Sequence, residues 1–203
     1  IIAGGDAALK RSIEHAEDNA AAGAAAIDER KVGKHDVVFG IATGGTTPFV
    51  HGALGRATQL GARTVFLACV PREEASDAAD VSIRVLTGPE VVTGSTRLKA
   101  GIATKMVLNI VSTLVMVRLG KVFGNLMVDV DARRCDKLID RAIRMVMEAT
   151  DQPREAAKRL LDTAEHSVKT AIVMHRLNLD CEAAKRLLEQ HNGAVRAALE
   201  STE

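Results

Sequence analysis

The sequence predicts an α/β fold built on a doubly wound parallel sheet, and three apolar runs carry that prediction. Residues 37–42, 64–70 and 81–86 are strand-length, largely apolar stretches, the third interrupted by Ser82 and Arg84. Strands buried on both faces read this way, and the helical patterns between them supply the layers that cover such a sheet. The signal is concentrated in the first half; beyond Gly94 helical periodicity takes over.

Taken in order, residues 1–3 are apolar, are stopped by Gly4 and Gly5, and read as the end of a strand entered midway through a longer chain. Asp6 is placed to cap a helix through Ala7, Leu9 and Ile13. A second, Ala-rich helix is expected over roughly 18–30, and the polar residues Glu14, His15, Glu17 and Asp18 are expected on helix as well. A helix from Pro48 to Leu60 follows the first strand. The stretch 97–119 predicts one long helix, apolar nearly all round and therefore buried, in part against a second copy of the chain. Lys105, Asn109, Ser112, Thr113 and Arg118 make it too polar to read as a bilayer span. Residues 132–148 predict a further helix, broken at Pro153. Short amphipathic helices at 153–162, 167–176 and 180–190, with a last turn at 192–200, predict a small bundle. The expected division is residues 1–150 and 151–203.

Composition narrows the function. The 203 residues carry 27 Lys plus Arg against 26 Asp plus Glu, a net charge of +1. That balance supplies no counterion-release drive toward nucleic acid and no patch for a membrane surface. Aromatics are 2 %, without Trp or Tyr, which argues against base stacking. Cys69, Cys135 and Cys181 are odd in number and far apart, so neither a disulfide framework nor structural zinc is expected, and the chain reads as intracellular. No secretory leader is visible at the front. The six histidines show no ligand spacing, so no metal site is expected.

Three stretches suit chemistry. Thr43, Gly44, Gly45, Thr46 and Thr47 lie between the first strand and the helix opened by Pro48. Glycines there let the backbone approach a ligand, and free N–H groups at a helix start favour an anion such as phosphate. The competing reading makes Thr47 an N-cap and Pro48 a first helical residue, and the two are compatible. The stretch lacks the Gly-Lys-Ser/Thr ending of a Walker loop. Ser95, Thr96, Arg97 and Lys99 form the second stretch. Two cations at a helix N-terminus oppose the dipole, which implies an anionic partner: either a ligand or Glu90. The third stretch holds Glu14, His15, Glu17 and Asp18, on composition alone a solvated polar face.

Together these stretches resemble the N-acetylmuramic acid 6-phosphate etherases, which are built on a sugar-isomerase (SIS) domain. The run from Val92 through Thr93, Gly94, Ser95, Thr96, Arg97, Leu98, Lys99 and Ala100 to Gly101 is similar to a motif this family shares with the glucokinase regulatory protein. The block from Lys121 to Val130, the Ala16-Glu17-Asp18 triplet and the Gly40–Pro48 segment fall in the family's order. The tail around His191, Asn192 and Gly193 resembles a ubiquitin-associated-like helical bundle. The resemblance implies cleavage of the D-lactyl ether of N-acetylmuramic acid 6-phosphate to N-acetylglucosamine 6-phosphate and D-lactate, in cell-wall amino-sugar salvage. It implies elimination across C2 and C3 followed by hydration, run by two glutamates, of which Glu17 matches one. The other glutamate belongs to a front section expected before Ile1. No metal or redox cofactor is implied, because the reaction is neither a net oxidation nor a reduction. The resemblance also implies a homodimer whose subunits share the loops, in the cytoplasm. Gly44 stands where many relatives have Ser, Thr46 where they often have Arg, and Ile102 where they have a small or hydroxyl residue. The alternative function is a sugar-phosphate-binding regulator that performs no chemistry.

Overall fold

The computed structural model describes residues 1–131 and 136–202, which form two compact units, Ile1–Leu108 and Asn109–Glu203. The expected helix start at Ala132, and Cys135, lie outside the described residues.

In the first unit, three parallel strands, β1 (Val37–Ile41), β2 (Arg63–Ala68) and β3 (Val81–Arg84), pair in the order β1-β2-β3. Val38 lies opposite Thr64 and Leu67 opposite Ile83. The central strand β2 carries the core: Phe66, Leu67 and Ala68 are fully buried. Alternation along β2 sends Phe66 and Ala68 to one face, against Leu54 and Val50 of α2 (Pro48–Gln59). Leu67 goes to the other face, where it meets Ala100 and Val107 of α3 (Lys99–Arg118). Helices therefore cover both faces, as the apolar strands require.

The helix α1 (Ala20–Glu29) is capped by Asn19, whose side chain accepts from the Ala22 N–H at 2.9 Å. It packs on α2 backbone to backbone: a Cβ on Gly23 would come within 2.0 Å of the Phe49 carbonyl, and one on Gly52 within 2.0 Å of the Ala20 carbonyl. The Arg56–Asp28 ion pair at 2.8 Å ties the two helices at the other end.

Three expectations are corrected here. Residues 1–3 join no strand; Ile1 and Ile2 are exposed, and a 3₁₀ turn, Gly5–Leu9, follows with Gly4 rather than Asp6 at its cap. Glu14, His15, Glu17 and Asp18 are not on a helix. His15 has φ 61°, a left-handed conformation that interrupts helix, and Asn19 sets the start of α1 beyond them. Finally, α3 has the expected length but is not buried. Only Ala100 is buried along it, and Ile102, Met106, Ile110 and Leu114 are each more than half exposed. The sheet face supports it from Ala100 to Val107, about two turns, whereas the helix runs for about 30 Å. Apolar composition shows that a helix needs a partner without showing that its own chain supplies one. Among the described residues, α3 is also the helix long and apolar enough to cross a membrane by length and composition.

The second unit is helical. α4 (Asp136–Thr150), α5 (Arg154–Thr163), α6 (Val168–Leu177), α7 (Cys181–Gln190) and α8 (Val195–Glu200) surround one core that includes Val146, Leu161, Ile172, Val173, Leu188 and Val195. Val128, from the irregular 121–130 block, is buried in the same core. Asp129 receives both Lys121 and Lys169, which pins that block to α6. Arg176 donates to the Ala149 carbonyl at 2.7 Å and closes the end of α4. Ser167 and Asp180 cap α6 and α7 by accepting from Thr170 and Ala183 N–H groups.

Candidate functional site: two loops and a carboxylate at the strand ends

The 43–47 loop leaves the carboxyl end of β1 and is tied down through part of its backbone. Ala42 N–H donates to the Leu67 carbonyl at 3.0 Å, and the Thr43 carbonyl accepts from Cys69 N–H at 2.9 Å, so the loop starts as an extension of the sheet. Gly45 N–H then closes a tight turn onto the Ala42 carbonyl at 2.8 Å. Gly45 is buried with φ +81°, and a Cβ there would meet the Ala75 Cβ at 2.5 Å, so glycine is required on two counts. Its carbonyl accepts from His51 Nε2 at 2.7 Å. Among the described residues, the N–H groups of Gly44, Thr46 and Thr47 take no protein partner. Thr47 occupies the N-cap position and Pro48 the first turn of α2, but the Thr47 hydroxyl makes no capping bond. The loop therefore combines unpartnered backbone donors, hydroxyls and the positive end of a helix.

Behind it stands an ordered support. Arg84 at the end of β3 donates to Asp77 at 2.5 Å and to the Ala75 carbonyl at 2.8 Å. The Asp77 side chain is 1 % exposed. Burial pushes its carboxyl up, but donors from Ser82, Arg84 and the Ala79 N–H outweigh that and hold it below the ordinary carboxylate range. The Arg84 guanidinium lies 5.1 Å from the Phe66 ring centre, and the His51 ring lies 5.2 Å from the same ring.

The second loop is held differently. Ser95 N–H closes a turn onto the Val92 carbonyl at 3.0 Å, and Thr96, Arg97 and Lys99 are exposed. The Glu90 carboxylate reaches the start of α3 and accepts from Lys99 N–H at 2.9 Å and Ala100 N–H at 3.0 Å. Those bonds, with the Lys99 charge behind them, hold the Glu90 carboxyl below its ordinary value. Of the two anionic partners the sequence allowed at this helix start, Glu90 takes the first N–H groups, while the side chains of Arg97 and Lys99 stay in solvent.

Cys69 joins the loops. Its N–H bonds Thr43 on one side, and its thiol sits 4.0 Å from the Ala100 carbonyl on the other. Glu17 is brought to the same end of the sheet through its backbone: its carbonyl accepts from Phe49 N–H at 2.9 Å, one residue beyond Pro48. Its side chain is exposed. Among the described residues no hydrogen bond or ion pair joins the Glu17 carboxylate to either loop.

Residues 1–58 match the family pattern of the glucokinase regulatory protein N-terminal SIS domain. An N-acetylmuramic acid 6-phosphate etherase of Crocosphaera subtropica is 55 % identical over 201 residues, which is 99 % of this chain and 66 % of that protein. Proteins of the same name from Thermosynechococcus vestitus and Nostoc are 56 % identical over 98 % of this chain and 55 % identical over 99 % of it. Over almost its whole length the chain is similar to N-acetylmuramic acid 6-phosphate etherases. It spans a little under two thirds of the length of these relatives.

The first loop and the Glu17 segment are tied by backbone bonds to the strand ends and the start of α2, and Cys69 links the first loop to the start of α3; ligands of open parallel sheets bind at such strand ends. Sequence reasoning missed His51, Cys69 and Glu90's role as a cap. His51 carried a signal, since it falls four residues after Thr47 and so on the first turn of α2; nothing in sequence pointed to its acceptor. A separate approach of Glu165, Cys181 and Glu182 in the second unit has the ligand types of a metal site, but the Lys185 ammonium already bridges both carboxylates at 2.8 and 3.0 Å.

Proposed function

We propose that the protein carrying this chain cleaves the D-lactyl ether of N-acetylmuramic acid 6-phosphate, a carbon–oxygen lyase reaction of peptidoglycan recycling in the cytoplasm. The observation that carries this reading is identity near 55 % with etherases over 99 % of the chain. The local geometry supports it: the donors of Gly44, Thr46 and Thr47, with the hydroxyls of Thr43, Thr46 and Thr47, suit a sugar phosphate. Ser95 and Thr96 extend that lining, while Arg97 and Lys99 supply positive charge from the second loop. The carboxylate of Glu17, a residue whose backbone carbonyl is tied to the start of α2, is the proposed proton-transfer group of the elimination, its counterpart being a glutamate in the part of the relatives this chain does not match. Proton abstraction at C2 and protonation of the departing ether oxygen require two such groups.

A homodimer is part of the proposal. The exposed apolar side chains of α3 are the surface a second copy would bury, and such a continuous patch is uncommon on a free surface. Residues 1–150 are proposed as the sugar-phosphate-binding part and 151–203 as its closing ubiquitin-associated-like bundle. The match of residues 1–58 to the glucokinase regulatory protein pattern favours one second reading, a sugar-phosphate sensor without chemistry.

One experiment separates the two. The protein is incubated with N-acetylmuramic acid 6-phosphate in D2O and followed by proton NMR. Released lactate, with deuterium at C2 of the product, is the etherase outcome, because the abstracted proton exchanges before hydration. Shifted ligand signals without lactate are the sensor outcome. Glu17→Gln is expected to retain ligand binding and lose most turnover, and an unchanged rate removes Glu17 from the mechanism.

A further inference from the structure

We propose that His51 is a positioning residue for the phosphate-binding loop, one that sets which way the Gly45–Thr46 peptide faces. The inference rests on the reading of residues 43–47 as an anion site. A trans peptide is planar, so its carbonyl and its N–H point in opposite directions. The Gly45 carbonyl and the Thr46 N–H belong to one such unit. Because His51 Nε2 holds that carbonyl at 2.7 Å, the Thr46 N–H is turned away from His51, and like those of Gly44 and Thr47 it takes no protein partner among the described residues.

The lock is needed because of the residue it acts on. Gly45 lies at φ +81°, and a glycine lets the following peptide flip with little steric penalty. In the flipped state a carbonyl oxygen, not an N–H, would face the phosphate. The turn bond from Gly45 N–H to Ala42 fixes only the peptide on the other side of the residue. His51 alone, among the described residues, bonds the Gly45 carbonyl.

His51 is itself held. Its backbone is in the first turn of α2, where its N–H bonds the Thr47 carbonyl at 3.2 Å, and its ring lies on the buried Phe66. Since a carbonyl only accepts, Nε2 carries the proton of this bond. The Arg84 guanidinium lies by the same Phe66 ring and bonds the carbonyl of Ala75, the residue whose Cβ leaves no room for one on Gly45.

The test uses the whole chain, labelled with 15N, with inorganic phosphate as probe. His51→Leu keeps an apolar body against Phe66 and removes the donor; His51→Gln keeps a donor. Without ligand, His51→Leu is expected to move the Thr46 amide resonance while His51→Gln leaves it near its parent position. With phosphate, His51→Leu is expected to bind about tenfold more weakly and His51→Gln to recover most of the affinity, the size of one hydrogen bond to an anion. A Thr46 amide unmoved in His51→Leu, or a His51→Gln variant that behaves like His51→Leu, overturns the proposal. If His51→Leu does not fold, His51→Phe serves as the donor-free variant. A parent protein whose loop amides ignore phosphate overturns the anion-site reading instead, and the unliganded Thr46 resonance still decides whether His51 sets the peptide.

Discussion

The two candidate loops reach the same end of the sheet by opposite means. The 43–47 loop is tied down by Cys69, one residue past β2, and by His51, and its buried Gly45, close to Ala75, admits no side chain. The 90–99 loop is held to its helix by one carboxylate, with Thr96, Arg97 and Lys99 left in solvent. The difference teaches what each can do. Preformed donors of fixed direction bind an anion with little reorganisation. A loop on a single ionised latch is free to adjust its cations to whatever the first loop has bound.

The strongest way to break this contrast is to remove the brace. Arg84→Met leaves the Asp77 carboxylate buried without its partner and is expected to cost about 3–5 kcal/mol in urea unfolding, the range for a broken buried pair. Gly45→Ala attacks the loop itself, through left-handed strain and the Ala75 contact, and is expected to cost about 2–4 kcal/mol by the same measurement. A loss within about 0.5 kcal/mol for either would show the brace to be slack.

The latch is sharpened by pH. The Glu90 carboxyl is held below its ordinary 4.5 by the bonds from Ala100 and Lys99. A depressed carboxyl contributes fully above the unfolded value and loses its contribution as pH falls through the folded one. Amide exchange at Lys99 and Ala100 is therefore expected to stay slow above pH 4.5 and to lose protection below it, in excess of the intrinsic trend. Glu90→Gln removes the charge and should abolish that pH dependence, leaving 43–47 unaffected. The smallest effect belongs to Thr47→Ala. Its hydroxyl makes no cap bond, so stability should stay within about 0.5 kcal/mol, whereas a hydroxyl serving only as N-cap would cost about 1 kcal/mol. A fall in phosphate affinity with unchanged stability would assign the hydroxyl to the ligand.

Much of this was legible along the chain. The three runs became β1, β2 and β3 within a residue or two; β1 and β2 are nearly continuous apolar stretches, whereas β3 alternates Ser82 and Arg84 with Val81 and Ile83. Pro48 started α2, and Asn19, Ser167 and Asp180 each accept from an N–H in the first turn of their helices, the local chemistry that caps a helix. The segment around Glu17 was not legible as structure. A polar stretch beside an Ala-rich helix reads as more helix, and the left-handed His15 that ends the pattern leaves no mark on hydropathy.

What the sequence determined by itself was what depends on neighbours within a turn or two: strand type, the start of α2 at Pro48, and the resemblance carried by motifs of contiguous residues. Tertiary structure decided what depends on residues far apart in the chain. It brought Cys69 between Thr43 and Ala100, put Glu17 against the start of α2, and turned the Gly45 carbonyl toward His51. It also left α3 exposed, because composition encodes how much surface a helix must bury but not which surface receives it.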